Sequence, residues 1–126
     1  MKHRILVVED NPANCELLCD WLEAAGFDVR AAENLQQAFS TLESQQPHAV
    51  LLDVQLGSED GLAFASQVRQ EARFHQLPII AVTAHAMVAD HERVIQAGCN
   101  ACISKPIDFK MLRQHLEQRL RVADAS

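Results

Sequence analysis

No tyrosine occurs among the 126 residues of this chain, and its aromatic side chains amount to one Trp and five Phe. Long apolar runs are also missing. Ile5–Val8 and Ala49–Leu52 are strand-length, far below the roughly 20 residues of a membrane-spanning helix. Basic residues are in deficit: Lys plus Arg is 11, Asp plus Glu is 17, and the net charge is −6. That balance argues against a general nucleic-acid binder, whose footprint is basic, and against adsorption to an anionic membrane. The opening Met-Lys-His-Arg leads into one short apolar run and then Glu9 and Asp10, so no secretory signal is expected and the cytoplasm is the expected location. Linkers rich in Pro, Gly or Ser are absent, as are repeats. A chain of this length buries about 70% of its unfolded surface. One domain is therefore expected over residues 1–126, with its core at about 3–122. The last helix ends close to the end of the sequence, so no effector domain is expected.

Cysteine is scarce: Cys15, Cys19, Cys99 and Cys102. In a reducing compartment a disulfide framework is not expected. Cys99 and Cys102 have CxxC spacing, and Cys15 and Cys19 lie one helical turn apart. A zinc site needs two matched halves, and free Cys commonly acts as a small buried hydrophobe. The six histidines are scattered and share no metal-ligand spacing.

What is present is a regular alternation. Ile5–Val8 reads as a strand buried on both faces. Asn11 and Pro12 open a helix carrying Leu18, Trp21, Leu22 and Ala25 inward, stopped by Gly26. Phe27–Ala31 is a second strand. Asn34 and Gln37 make a capping box for a helix to about Ser44, closed by Pro47. Ala49–Leu52 is the third strand, ending in Asp53. Gln55–Asp60 reads as a loop with Gly57, and Asp60 caps the next helix. Ile79–Val82 is the fourth strand, ending in Thr83, with a helix from Met87 to Ala97 after it. Ala101–Ser104 is the fifth strand, ending in Lys105 and Pro106. A last helix spans Asp108 to Val122, with Met111, Leu112, Leu116 and Leu120 inward and residues after it frayed. Five βα units in succession predict an α/β fold: a doubly wound, five-stranded parallel sheet with helices on both faces.

Ligands of such sheets bind beyond the carboxyl ends of the strands. Glu9 and Asp10, Asp53, Thr83 and Lys105 all fall at that edge. Three crowded carboxylates repel one another unless a cation intervenes, and Lys105 offsets one charge. A hard divalent cation such as Mg²⁺ is the natural complement, and Mg²⁺ commonly binds through one or two carboxylates, waters and phosphate oxygens. A carboxylate is already ionised at neutral pH and attacks phosphorus without a general base. Thr83 and Lys105 can hold phosphoryl oxygens. The edge reads as an aspartyl-phosphate site with a metal.

Four segments carry a resemblance at this point: Leu6-Val-Val-Glu-Asp-Asn11, Leu51-Leu-Asp53 with Asp60-Gly61, Ala81-Val-Thr-Ala84, and Ile103-Ser-Lys-Pro106. In order and spacing the chain resembles the receiver domain of two-component response regulators along its whole length. Thr83-Ala-His-Ala-Met87 makes it most similar to stand-alone receivers and the receivers of hybrid kinases. The resemblance implies a flavodoxin-like sheet of order 2-1-3-4-5. It implies that Asp53 takes a phosphoryl group from a phosphohistidine on a sensor histidine kinase or histidine phosphotransfer protein. It further implies Asp10, Asp53 and the carbonyl of Gln55 as direct Mg²⁺ ligands, with Glu9 acting mainly through water. Thr83 and Lys105 are implied as phosphoryl contacts, and the bond before Pro106 as cis. Gln55 and His85 are implied to tune the lifetime of the aspartyl phosphate. Output is implied through protein contacts on the face of helix 4, strand 5 and helix 5, from a monomer or weak homodimer. No enzymatic activity is implied beyond self-catalysed phosphotransfer and autodephosphorylation.

The chain departs from the family pattern at Cys102, where an aromatic usually stands three residues before the lysine and relays the switch. It departs again at Gly57, where Pro is common and where Gly is expected to loosen the loop. Two other readings remain: a pseudo-receiver that docks without phosphorylation, and a phosphatase with an aspartyl-phosphate intermediate. Such a phosphatase usually places its nucleophile after the first strand. A flavodoxin is disfavoured because no Ser/Thr/Gly-rich cradle follows strand 1.

Overall fold

The computed structural model describes residues 2–84 and 88–125, and the backbone alone of residues 88, 89 and 122–125. In chain order the elements are β1 (Arg4–Val8), α1 (Pro12–Ala24), β2 (Asp28–Ala32), α2 (Leu35–Gln45), β3 (Ala49–Asp53), β4 (Gln55–Leu56), β5 (Glu59–Asp60), α3 (Gly61–Arg69), a 3₁₀ turn (Ala72–Phe74), β6 (Ile79–Thr83), α4 (Val88–Gln96), β7 (Ala101–Ser104) and α5 (Phe109–Ala125). Five parallel strands form one sheet in the order β2-β1-β3-β6-β7. Counting only these five, the order is the 2-1-3-4-5 that the resemblance implies.

The unbroken apolar runs have a simple cause. Ile5 and Val7 of β1 pack with Leu18 and Leu22 of α1 and with Leu112, Leu116 and Leu120 of α5. Leu6 and Val8 face the other way, onto Ala38 and Leu42 of α2, Phe64 and Val68 of α3, and Val94 of α4. A strand with a core on each face has no solvent side to keep polar.

Local chemistry sets the helix starts. The Asn11 side chain accepts the Asn14 N–H at 3.1 Å, and Pro12 takes the first helical position. Asn34 accepts from the N–H of Gln37 at 2.8 Å, but the Gln37 side chain reaches back to the N–H of Glu33, at 3.0 Å, one residue earlier than a standard capping box. Asp60 caps α3 through the N–H of Leu62.

Four expectations are revised. Residues 55–60 are a small antiparallel hairpin, Gln55 opposite Asp60 and Leu56 opposite Glu59. Gly57 sits in its turn at φ +58°, a left-handed conformation that glycine adopts without a Cβ penalty. Helix α2 ends on Gln46 at φ 47°, before Pro47 is reached. Met111 is 46% exposed while Leu112 is fully buried: with Leu112, Leu116 and Leu120 inward at four-residue spacing, the neighbouring position turns about 100° away. Helix α5 continues through Ala125. Among the described residues no helix is long and apolar enough to cross a membrane.

Candidate functional site

Strand register assembles the site. Val8 of β1 lies opposite Leu52 of β3, so Glu9 emerges beside Asp53. Asp53 lies opposite Val82 of β6, placing Thr83 one step further along the same edge. Thr83 pairs with Ser104 of β7, and the Lys105 N–H donates to the Thr83 carbonyl at 2.8 Å. Carboxylate oxygens of Glu9, Asp10 and Asp53 come within 4.8 Å of one another. Glu9, Asp53 and Thr83 are the buried polar or charged side chains among the described residues, whereas Asp10 is exposed. The cluster therefore opens to solvent on its Asp10 side.

Asp53 is held at both oxygens. Its Oδ1 accepts the Gln55 N–H at 2.9 Å, and its Oδ2 accepts from Lys105 Nζ at 2.9 Å. The same ammonium lies 3.9 Å from Glu9 Oε2. Burial works against the Lys105 ammonium, but the hydrogen bond and charge of Asp53, with Glu9 and Asp10 behind it, hold its pKa above the ordinary lysine value. Glu9 goes the other way from a normal carboxylate. Burial, then the hydrogen bond and charge of Asp53, push it up to about 7, against smaller opposing effects of Asn14 and Lys105. One ammonium does not balance three carboxylates, so the site accommodates a proton or a cation. Oxygen donors of this kind, open to water, fit a hard divalent ion.

The Glu9 shift has a consequence for stability. A carboxyl whose folded pKa lies above its unfolded value stabilises the fold while protonated. That contribution is complete below about 4.5 and disappears as pH rises through about 7. One pKa unit is worth about 1.4 kcal/mol, so the effect is at most a few kcal/mol. Without divalent ions, wild type is expected to lose stability relative to Glu9→Gln between pH 5 and pH 8, read as urea midpoints at each pH. Parallel curves for the two proteins would refute the assignment.

Other residues singled out in the sequence take the following places. The Lys105–Pro106 bond is cis, as expected. Gln55 begins the hairpin and is exposed. Cys102 is half-buried on β7, against the core shared by α2, α3 and α4. His85 and Met87 lie outside the described residues. Asn14 and an apolar wall have no reading in the sequence, and Gly61 enters there only as part of the Asp60-Gly61 segment. Asn14 donates from Nδ2 to Glu9 Oε1 at 3.2 Å, and its only sequence signal is a place in the first turn of α1. Gly61 packs its α-carbon directly under Asp53: a Cβ there would stand 2.3 Å from the Asp53 carbonyl oxygen. Leu17, Ile107 and Phe109 make an apolar wall beside Asp53 and Lys105 around a pocket of about 440 Å³. Among the described residues Leu17 is one of three exposed large apolar side chains.

Comparison with known proteins agrees with this fold. The family model of the response regulator receiver domain matches residues 5–117. The polar-differentiation response regulator DivK of Brucella anthropi is 37% identical over 107 residues, covering 85% of this chain and 87% of that protein. A Chloroflexus aurantiacus protein assigned as a response regulator is 29% identical with a TM-score of 0.90, covering 96% of this chain and 99% of the other. The BeF3-activated N-terminal receiver domain of Klebsiella pneumoniae RstA is 26% identical with a TM-score of 0.86, covering 94% and 99%. This chain belongs to the response regulator receiver domain family of two-component signalling.

Proposed function

We propose that the chain accepts a phosphoryl group on Asp53 from the phosphohistidine of a sensor histidine kinase or histidine phosphotransfer protein, and signals in the cytoplasm by phosphorylation-dependent protein contacts. The observation that carries this reading is the position of Asp53: buried at a strand end, between two further carboxylates and a lysine ammonium 2.9 Å away. In the step, an Asp53 carboxylate oxygen attacks phosphorus, an O–P bond forms, and the N–P bond of the donor imidazole breaks. The imidazole nitrogen keeps the electron pair. Lys105 is placed to transfer its pairing from Asp53 to a phosphoryl oxygen, and the Thr83 hydroxyl to hold another.

Mg²⁺ is the proposed cofactor, held by Asp10, Asp53 and the Gln55 carbonyl, with Glu9 outside them; when bound it supplies neutralisation of the phosphoryl charge. Asn14 keeps Glu9 oriented toward the cluster. The donor's approach runs over the apolar wall of Leu17, Ile107 and Phe109, which excludes water around the reacting groups. Gln55 and His85 are proposed to modulate the lifetime of the product, and Cys102 and Pro106 to shape the switch around Thr83 and Lys105. The proposed output face is α4, β7 and α5. Strand β7 is the edge strand between these two helices, and Ile95 of α4 and Met111 of α5 are the two other exposed large apolar side chains among the described residues.

Incubation with acetyl phosphate and Mg²⁺ is expected to add the mass of one phosphoryl group, and a chelator of divalent ions is expected to prevent it. Intact-mass spectrometry reads both. No gain from acetyl phosphate or from a phosphorylated cognate donor would overturn the reading.

A further inference from the structure

We propose that Cys15 and Cys19 form a two-thiolate site for a soft monovalent cation, with Cu(I) as its probe. The two sulfurs lie 3.9 Å apart on successive turns of α1, and both residues are half-buried. This spacing disfavours a disulfide. Residues four apart on a helix hold their Cβ atoms about 5–6 Å apart, while a disulfide needs roughly 3.5–4.5 Å and an S–S bond of about 2.05 Å. A metal with bonds of about 2.3 Å to each sulfur spans up to roughly 4.6 Å, so 3.9 Å falls within its reach.

Coordination number selects the kind of ion. Among the described residues, the only group of three or more His, Cys, Asp or Glu side chains close enough to hold a metal is Glu9, Asp10 and Asp53. The cysteine pair thus has no third donor of these types, and zinc, which takes four ligands, is poorly served. Thiolates favour Cu(I), for which two donors suffice.

The surroundings also favour a cation. Cys15 opens onto a groove of about 310 Å³ lined by Glu9, Asp10, Glu16 and Glu33, with no Lys, Arg or His among its lining residues. Such a groove concentrates positive ions. Both cysteines pack against the apolar core under α1 that holds Leu18 and Leu22. Burial, then Cys15, and then the charges of Glu23 and Asp20 push the Cys19 thiol up to about 12. The free Cys19 thiol therefore holds its proton at neutral pH, while the same carboxylates attract a bound cation. On binding, two S–H bonds release two protons and two S–Cu bonds form. Copper stays at +1, and nothing is oxidised.

The test uses the full, reduced chain without oxygen, competing for Cu(I) with the chromogenic chelator bathocuproine disulfonate. One Cu(I) per chain is expected. Loss of outer groups around a metal weakens binding by about 10–100-fold, so Cys15→Ser and Cys19→Ser, each deleting one of two ligands, should each weaken it by roughly 100-fold or more. Cys99→Ser and Cys102→Ser should leave it unchanged. Urea midpoints separate loss of the site from loss of the fold. X-ray absorption of the Cys99→Ser/Cys102→Ser double variant should show two sulfurs on copper, independently of how the other variants fold. Retained binding in the Cys15→Ser/Cys19→Ser double variant, or no capture by wild type, overturns the proposal.

Discussion

Asp53→Asn is expected to abolish phosphoryl uptake, slowing it by roughly a thousandfold or more, as deletion of an attacking group does elsewhere. The amide has the shape of the carboxylate but no charge, and its oxygen is a weak nucleophile. Both carboxylate oxygens now have partners, Gln55 N–H and Lys105 Nζ. An amide can keep the first hydrogen bond through its oxygen while losing the charge pairing with Lys105. The fold should survive, because removing one of three crowded carboxylates also relieves Glu9. A second readout follows: in Asp53→Asn the Glu9 carboxyl should titrate lower, so the stability lost between pH 5 and pH 8 should shrink. The measurements are phosphoprotein mass after acetyl phosphate treatment, and urea midpoints across pH. Full uptake by Asp53→Asn would place the acceptor elsewhere.

Gly61→Ala is expected to destabilise the protein by about 3 kcal/mol, the upper part of the range for overpacking a rigid site. Helix propensity points the other way, since Ala is better than Gly by up to about 1 kcal/mol in a helix interior. Here the steric effect wins. The new Cβ would stand 2.3 Å from the Asp53 carbonyl oxygen and 3.0 Å from the Val54 α-carbon. These are backbone atoms, and they cannot rotate aside. Gly61 N–H also donates to the Val54 carbonyl at 2.8 Å, closing the base of the β4–β5 hairpin. Relief by backbone shift would therefore move Asp53 itself, and phosphoryl uptake should fall with stability. Gly26→Ala is the control. Its position has φ +100° and nothing within 4 Å of a new Cβ, so only the left-handed backbone opposes it, by about 1–2 kcal/mol. Urea midpoints of the two variants should differ in that order. Equal midpoints would remove the close-packing account of Gly61.

Much of the candidate site was legible because its residues sit immediately after short apolar runs. Val8 leads into Glu9 and Asp10, Leu52 into Asp53, and Val82 into Thr83. In a parallel sheet such junctions share one edge, so a local pattern implies a long-range meeting. Helix starts were legible for a similar reason: Asn11, Asn34 and Asp60 each satisfy backbone groups two or three residues away. Met111 shows the limit. Leu112, Leu116 and Leu120 repeat at four residues, and the apolar neighbour at 111 fits the same stripe on paper but faces solvent in the fold. The β4–β5 hairpin looks like a loop in the sequence because two-residue strands carry no periodicity to detect.

By itself the sequence determined the order of the elements, their caps, and the strand ends that carry Glu9, Asp10, Asp53, Thr83 and Lys105. These depend on hydrogen bonds and side-chain periodicity within a few residues. Tertiary structure decided the rest: the single ammonium shared by Asp53 and Glu9, Gly61 beneath Asp53, Asn14 on Glu9, and the acidic groove that opens onto Cys15. Each of these is a distance between groups on different elements. Such distances are set by how helices settle on the two faces of the sheet, which spacing along one element does not encode.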